Sequence, residues 1–154
     1  MSSKDQVCFD SLGFELLIDS LKDTFGSAGE SMIFQMSRKY GKHLINSVKE
    51  QYAGDTTNGF EASMGSHLGN VGRLGWGSFT YQKMDWENGE FDVDIDENMF
   101  RESCKGGRDS MCYFIKGVMV GTMEEIAGRD LSIRETSCYK DGDAKCAFRM
   151  SSST

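Results

Sequence analysis

The fold of this 154-residue chain is decided by the segment Glu135-Thr-Ser-Cys138-Tyr-Lys-Asp-Gly142-Asp-Ala-Lys-Cys146. Its Lys-Asp-Gly-Asp centre is typical of a tight turn, so the segment predicts a hairpin. A hairpin would bring Glu135, Cys138 and Cys146 close together, and Cys112 precedes them in the first turn of a predicted helix. Three thiolates and one carboxylate can form a tetrahedral zinc site, because zinc accepts both kinds of donor.

Three other interpretations fit the same residues. Buried cysteines without a metal are common and behave as small hydrophobic side chains. Two cysteines across a hairpin can form a redox-switchable disulfide, and Glu135 would also suit a solvated strand position. The spacing alone leaves these possibilities open, because Cys138 and Cys146 are not a closely paired zinc motif.

A second hairpin is predicted in the middle of the chain. Asn88-Gly89 is a strong signal for a two-residue turn, which would pair Trp86 with Phe91. The period of two then separates three apolar residues on one strand face from three aspartates on the other. These sets are Phe91, Val93 and Ile95 against Asp92, Asp94 and Asp96.

Helical spacing of apolar residues recurs in three segments, 10–25, 27–52 and 110–127. Asp109 is a suitable N-cap for the last of these helices, and Gly128 suits its C′ position. The expected buried stripes of the first two helices are Leu12, Leu16, Leu17, Leu21 and Phe25, and Met32, Ile33, Met36, Tyr40, Leu44 and Val48.

Glycines within the helical segments predict close helix packing, at Gly41 in the second helix and at Gly117 and Gly121 in the third. A strand over 131–138 and its partner over 144–150 complete the pattern. We therefore expect one domain over residues 1–150 and a disordered tail over 151–154.

Composition narrows the classes of function. The formal net charge is −7, from 17 basic and 24 acidic residues, which argues against a nucleic-acid surface. There is no apolar run of membrane-spanning length and no signal-peptide pattern at the start, so the expectation is a soluble cytoplasmic protein without a membrane partner. The five cysteines are then more consistent with thiols or ligands than with structural disulfides. No set of catalytic residues stands out.

The last third of the chain resembles the 4-vinyl reductase domain family. The matching residues are Cys112-Tyr-Phe-Ile-Lys-Gly117-Val-Met-Val-Gly121, and then Gly128-Arg-Asp-Leu-Ser-Ile-Arg-Glu135-Thr-Ser-Cys138-Tyr-Lys-Asp-Gly142-Asp-Ala-Lys-Cys146-Ala-Phe148. The resemblance implies an α+β fold, in which helices pack on an antiparallel sheet, related to subunits of the TRAPP vesicle-tethering complex. It also implies a structural Zn²⁺ held by Cys112, Glu135, Cys138 and Cys146.

Members of this family include sensory domains that bind a phenol or a hydrocarbon in an apolar pocket. The resemblance therefore implies a small hydrophobic or aromatic ligand for this chain, a homodimer, and a regulatory protein partner that reads ligand occupancy. The candidate pocket residues are His67, Trp76, Trp86, Phe91, Tyr113 and Phe114. Two alternatives are a thiol-based redox sensor that uses the same cysteines, with Cys104 as a resolving thiol, and a tetrapyrrole-handling protein.

Overall fold

The structure, a computed structural model, describes residues 10–51, 76–96 and 99–153. The predicted α+β architecture is confirmed: helices pack against a four-stranded antiparallel sheet with the order β1-β2-β4-β3. The strands are β1 (Ser78–Asp85), β2 (Glu90–Asp96), β3 (Leu131–Ser137) and β4 (Cys146–Ser152). The helices are α1 (Ser11–Phe25), α2 (Ser27–Gln51), α3 (Arg101–Lys105) and α4 (Ser110–Ala127), and a 3₁₀ turn lies at Tyr139–Asp141.

Helix α4 is the centre of the fold. Nearly every residue from Ser110 to Glu124 is buried, which is expected of a helix that is covered on all sides. The helix ends as predicted, because Gly128 adopts the left-handed conformation with φ 65° and donates its N–H to Glu124 O. Asp109 stands at the N-cap position, but its carboxylate makes no capping bond and instead binds Lys22 and Lys140.

Helices α2 and α4 are in backbone contact at the predicted glycines. A Cβ on Gly121 would lie 1.9 Å from Arg38 O, and one on Gly117 would lie 1.9 Å from Ser37 Oγ. On the other helix, a Cβ on Gly41 would lie 2.2 Å from Val118 O. These distances are far below van der Waals contact, so the crossing exists only because the three side chains are absent.

A buried ion pair reinforces this crossing. The Arg38 guanidinium donates to both carboxylate oxygens of Glu124, each at 2.7 Å, and Lys42 lies 3.3 Å from the same carboxylate. Glu124 Oε1 also accepts the N–H of Leu131 at 3.0 Å, which joins the helix pair to the start of β3. Burial alone would raise the pKa of Glu124, but these hydrogen bonds hold it below its ordinary value.

The inner face of the sheet is the one predicted from the alternation in β2. Phe91, Val93 and Ile95 have no exposed surface, and they pair with Met150, Phe148 and Cys146 of β4. On the outer face, Asp92 is bound by the Arg149 guanidinium, while Asp94 binds Lys145 and Gln82. The aspartates are therefore paired rather than simply solvated.

The predicted register of the first hairpin is wrong by two residues. Glu90 pairs with Asp85 and Phe91 with Met84, so the loop is the four residues 86–89 rather than Asn88-Gly89 alone. The Asp85 carboxylate accepts hydrogen bonds from the backbone N–H and the side-chain amide of Asn88, which favours the longer turn. Trp86 therefore lies in the loop and packs against Phe91 at a centroid distance of 4.7 Å.

The buried stripes predicted for α1 and α2 are only partly right. The buried positions of α2 are Ile33, Ser37, Gly41 and Ile45, at a strict four-residue spacing, and α1 buries Ile18. Apolar residues of the predicted stripes instead remain exposed on this helical hairpin: Leu12, Leu16, Leu17, Phe25, Met32, Met36 and Tyr40. The amphipathic pattern is real, but part of it faces away from the core of this chain.

Some predictions fall at the limits of the structure. Strand β4 extends through Ser152, so Ser151 and Ser152, which we assigned to the tail, pair with β3 and β2. Residues 54–75, which include His67, lie outside the described residues. Within the described ranges, no helix combines the length and apolar character that a bilayer crossing requires.

We expect Gly121→Ala to lower the free energy of unfolding by at least about 1–3 kcal/mol, because the new methyl group must push two backbones apart. Denaturant melts of the variant and the parent protein would measure the loss. Gly106→Ala is the matched control, since a Cβ there meets neighbours at an ordinary 3.4 Å and the residue has φ −74°. Equal stability of Gly121→Ala and the parent would contradict the close crossing.

Candidate functional site

Three of the four predicted metal ligands converge at the first turn of α4. One donor atom from each of Cys112, Glu135 and Cys138 lies within 4.8 Å of the other two. Cys112 is the third residue of α4, Glu135 points inward from β3, and Cys138 follows directly after β3. The group therefore joins the central helix to the edge of the sheet.

The turn after β3 holds Cys138 in place. Its backbone N–H donates to Asp143 Oδ2 at 2.9 Å, and its carbonyl accepts the N–H groups of Asp141 and Asp143. Gly142 closes the 3₁₀ turn with φ 89°, a conformation that glycine adopts without strain. The Lys-Asp-Gly-Asp sequence thus supplies the backbone geometry of the site as well as the reversal of the chain.

The separation of the sulfurs fits a shared zinc ion. Cys112 Sγ and Cys138 Sγ are 3.9 Å apart. Two sulfurs at zinc–sulfur distances of about 2.3 Å and a tetrahedral angle would be separated by about 3.8 Å. A larger oxygen-preferring ion would require longer bonds and would not favour thiolates.

Glu135 supplies an oxygen that lacks a partner. Its Oε2 forms an ion pair with Lys116 Nζ at 3.2 Å, whereas the buried Oε1 has no hydrogen-bond partner among the described residues. A buried carboxylate oxygen without a partner is costly, and a cation would remove that cost. Lys116 lies one helical turn after Cys112, so its position could have been inferred from the i, i+4 spacing.

The thiols of the site hold their protons in the absence of a metal. Contact with the Cys104 thiol and burial raise the pKa of Cys112 far above its ordinary value. Burial raises the pKa of Cys138 to about 12, and that of Cys146 to about 12 as well. A metal that binds here must therefore displace thiol protons, which is the usual behaviour of cysteine-rich zinc sites.

Cys146 is close to the group without being part of it. It is buried at the first residue of β4, and its pKa is raised by burial and then by the neighbouring Cys138, Cys112 and Glu135. It is not among the three residues whose donor atoms lie within 4.8 Å of one another. The structure thus assembles three predicted ligands and places the fourth beside them.

Cys104 is the nearest neighbour of the group. It belongs to α3, it has no exposed surface, and its Sγ lies 3.5 Å from Cys112 Sγ. The four described cysteines are all buried thiols with no disulfide among them. The sequence signal for Cys104 was its nearness to Cys112 along the chain, which gave no distance.

The predicted pocket residues do not form a single cluster. Trp76 and Phe114 are in edge contact at 5.5 Å, and they are joined by Phe14 and Tyr40 at centroid distances of 5.0 and 6.0 Å. We call these four residues the aromatic cluster. The sequence analysis missed Phe14 and Tyr40 as its members, because neither lies near the others along the chain.

The remaining pocket candidates lie elsewhere. Trp86 and Phe91 pack on each other at the first hairpin, and Phe91 is part of the core. The Tyr113 ring lies beneath the ammonium groups of Lys22 and Lys116, at 5.8 and 4.8 Å. A polar depression of about 300 Å³ on the outer face of the sheet, lined by residues such as Lys83, Asp92 and Arg149, has none of the predicted residues in its wall.

Comparison with known proteins agrees with this architecture. The vinyl-4-reductase (4VR) domain family matches residues 91–152, and no curated protein matches the chain. The structure resembles the phenol-responsive sensory domain of the transcription activator PoxR, solved with phenol (TM-score 0.79, 13% identity). That alignment covers 99% of this chain and 83% of that one.

Two further solved structures share the fold. A vinyl-4-reductase family protein from Methanocaldococcus jannaschii has a TM-score of 0.62 at 16% identity, with 98% of this chain and 86% of that chain covered. Subunit 3 of the trafficking protein particle complex from Naegleria fowleri, covalently bound to palmitic acid, has a TM-score of 0.59 at 16% identity, covering 94% of this chain and 98% of that chain. The predicted resemblance is confirmed, and the chain carries a 4VR domain at residues 91–152 and belongs, over that segment, to the vinyl-4-reductase domain family.

Proposed function

We propose that this protein is a small-molecule-sensing domain built around a structural zinc ion. The observation that carries the proposal is the convergence of Cys112, Glu135 and Cys138, with one buried carboxylate oxygen left without a partner among the described residues. Soft thiolates and a carboxylate are the donor set that zinc prefers. Cys146, buried beside the group, is the proposed fourth ligand.

The zinc ion would have a mechanical role. It would tie the first turn of α4 to the hairpin of β3 and β4, across elements that are far apart in sequence. Metal binding to a folded site adds its free energy to folding, because the unfolded chain does not hold the ligands together. The thiols that the protein buries as neutral groups would then become ligands, and the three released protons would pass to solvent.

We expect the full-length protein, purified under reducing conditions without chelator, to contain about one zinc per chain. Glu135→Gln keeps the shape of the side chain but replaces an anionic ligand, so zinc should be lost to a competing chelator at lower concentration than in the parent. Elemental analysis after graded chelator exposure measures both quantities.

Glu90→Gln is the matched control for that experiment, because Glu90 is an exposed carboxylate paired with Lys83 on the far side of the sheet. Its zinc content should equal that of the parent protein. Markedly substoichiometric zinc in the parent, or equal retention by Glu135→Gln and the parent, would argue against the proposed metal site.

We further propose a small aromatic molecule as the sensed ligand and the aromatic cluster as its contact surface. Trp76 is half-buried, and it touches Phe114 and Tyr40 at angles of 63° and 44°. Such tilted and edge contacts are the arrangement by which aromatic rings stabilise one another, and a phenol could join them. The PoxR sensory domain, which shares this fold, was solved with phenol, and that is a second line of support.

Phenol binding, measured by isothermal titration calorimetry, is expected to weaken in Phe114→Leu by roughly two- to tenfold, since an aromatic contact is worth about 0.5–1.5 kcal/mol beyond its area. Trp86→Phe is the control, because Trp86 contacts Phe91 away from this cluster. No heat of binding in the parent protein, or equal loss in both variants, would count against the aromatic cluster as the ligand site.

The partner proposed for the exposed apolar face of α1 and α2 is a second copy of this chain. Leu12, Leu16 and Leu17 are each more than half exposed on α1, and Met32, Met36 and Tyr40 expose a parallel row on α2. Contiguous apolar surfaces of this kind mark protein–protein contacts. A regulatory protein would then read the ligand-dependent state of the dimer, and the tetrapyrrole alternative stays a prediction.

We expect the parent protein to sediment as a dimer at micromolar concentration and Leu16→Lys to sediment as a monomer, because burying an unpaired ammonium in an apolar interface is costly. Analytical ultracentrifugation distinguishes the two species. Met84→Lys is the control, since Met84 is similarly exposed but lies on β1. A monomeric parent protein would remove the proposed interface.

A further inference from the structure

Cys104 has a position that neither the fold nor the proposed ligand set explains. It is completely buried in α3, and its sulfur lies 3.5 Å from that of Cys112. This separation is shorter than the 3.9 Å between Cys112 and Cys138. Yet Cys104 is not part of the group of three that converges on the candidate metal position. It is a reduced thiol in direct contact with a candidate ligand.

We infer that Cys104 and Cys112 form a disulfide when the protein meets a hydroperoxide, and that this bond releases the metal ion from Cys112, Glu135 and Cys138. The first half of the inference concerns two thiols that are already in contact. The second half rests on the proposed zinc site. The pair would make the stability of the site depend on the redox state of its surroundings.

The geometry needs only a small adjustment. A disulfide bond is about 2 Å long, so the sulfurs must approach by about 1.5 Å. Helix α3 is five residues long and has no side-chain N-cap bond, and Gly106 and Gly107 separate it from α4. Gly107 has φ 83°, so this connection already uses a conformation that glycine adopts easily.

The chemistry balances in two steps. The Cys112 thiolate attacks the hydroperoxide, breaks its O–O bond and becomes a sulfenic acid, while the other oxygen takes a proton from water and leaves as an alcohol or as water. The Cys104 thiol then attacks the Cys112 sulfur, the S–S bond forms, and the hydroxyl leaves with the thiol proton as water. The two thiols lose two electrons, and the hydroperoxide gains them.

The order of reaction follows from the proposed ligand set. Zinc keeps its ligands as thiolates, which are the reactive form of cysteine, so Cys112 would react first. Cys104, outside the group, would keep its proton and its freedom to move. Cys138 would still be held by the ion when the sulfenic acid forms. The nearest available thiol is then Cys104, at 3.5 Å.

The experiment treats the reduced, full-length protein with hydrogen peroxide, blocks the remaining thiols by alkylation, and maps disulfides by non-reducing peptide mass spectrometry. Zinc is measured before oxidation, and its release is followed with a coloured chelator. We expect a Cys104–Cys112 crosslink that forms in step with zinc release and is reversed by a thiol reductant. Cys8→Ser, which removes the fifth cysteine, should behave as the parent does.

Cys104→Ser should abolish the crosslink and convert Cys112 to sulfinic acid or to a different disulfide, so that reductant no longer restores zinc binding. Mapping of the parent protein tests the pair even if this variant folds poorly. A crosslink between Cys112 and Cys138, or a Cys104 that stays alkylatable after Cys112 is oxidised, would overturn the inference.

The zinc assay separates the two proposals. If the purified protein lacks zinc but still forms the Cys104–Cys112 crosslink, the proposed metal site fails and the thiol pair stands without its effect on the metal. If zinc is present and is released by peroxide without this crosslink, the metal site stands and the inference about Cys104 fails.

Discussion

The structure depends on the close approach of two helix backbones. Gly41, Gly117 and Gly121 allow α2 and α4 to pack at distances that any side chain would prevent. Because α4 is drawn against α2 on one side and lies against the sheet on the other, its side chains are almost all buried. This burial fixes the first turn of α4, and with it the position of Cys112, between α3 and the end of β3.

The candidate metal site combines groups that are individually unfavourable in a protein interior. A buried carboxylate oxygen without a partner among the described residues costs free energy. Three thiols with raised pKa values are inert as they stand. A divalent ion would offset the cost of the first and would convert the others to ligands. The same few side chains therefore make little sense as a hydrophobic core and good sense as a coordination group.

The sequence was most informative where one residue type has one physical use. The bounds of α4, its terminal Gly128 and the three glycines of the crossing were all predicted, because each reflects a local backbone requirement. The convergence of Cys112, Glu135 and Cys138 followed from the turn and from the family resemblance together. Spacing alone left a metal, a disulfide and an ordinary core as alternatives.

The failures have physical causes as well. The hairpin register was wrong because the Asp85 carboxylate stabilises a longer turn than Asn88-Gly89 alone would make. The stripes of α1 and α2 were correct as amphipathic patterns, but periodicity does not say whether an apolar face meets its own chain or another molecule. The aromatic cluster could not be foreseen, since Phe14, Tyr40, Trp76 and Phe114 come from four separate parts of the chain.

The first turn of α4 carries more than the sulfur of Cys112. Phe114 lies only two residues further along, about 3 Å up the helix axis, and its ring belongs to the aromatic cluster. A rigid rod transmits displacement without loss over so short a length. Whatever moves the sulfur end of this turn must therefore also move the aromatic ring, and the chain has one shared hinge point for its inorganic and its organic chemistry.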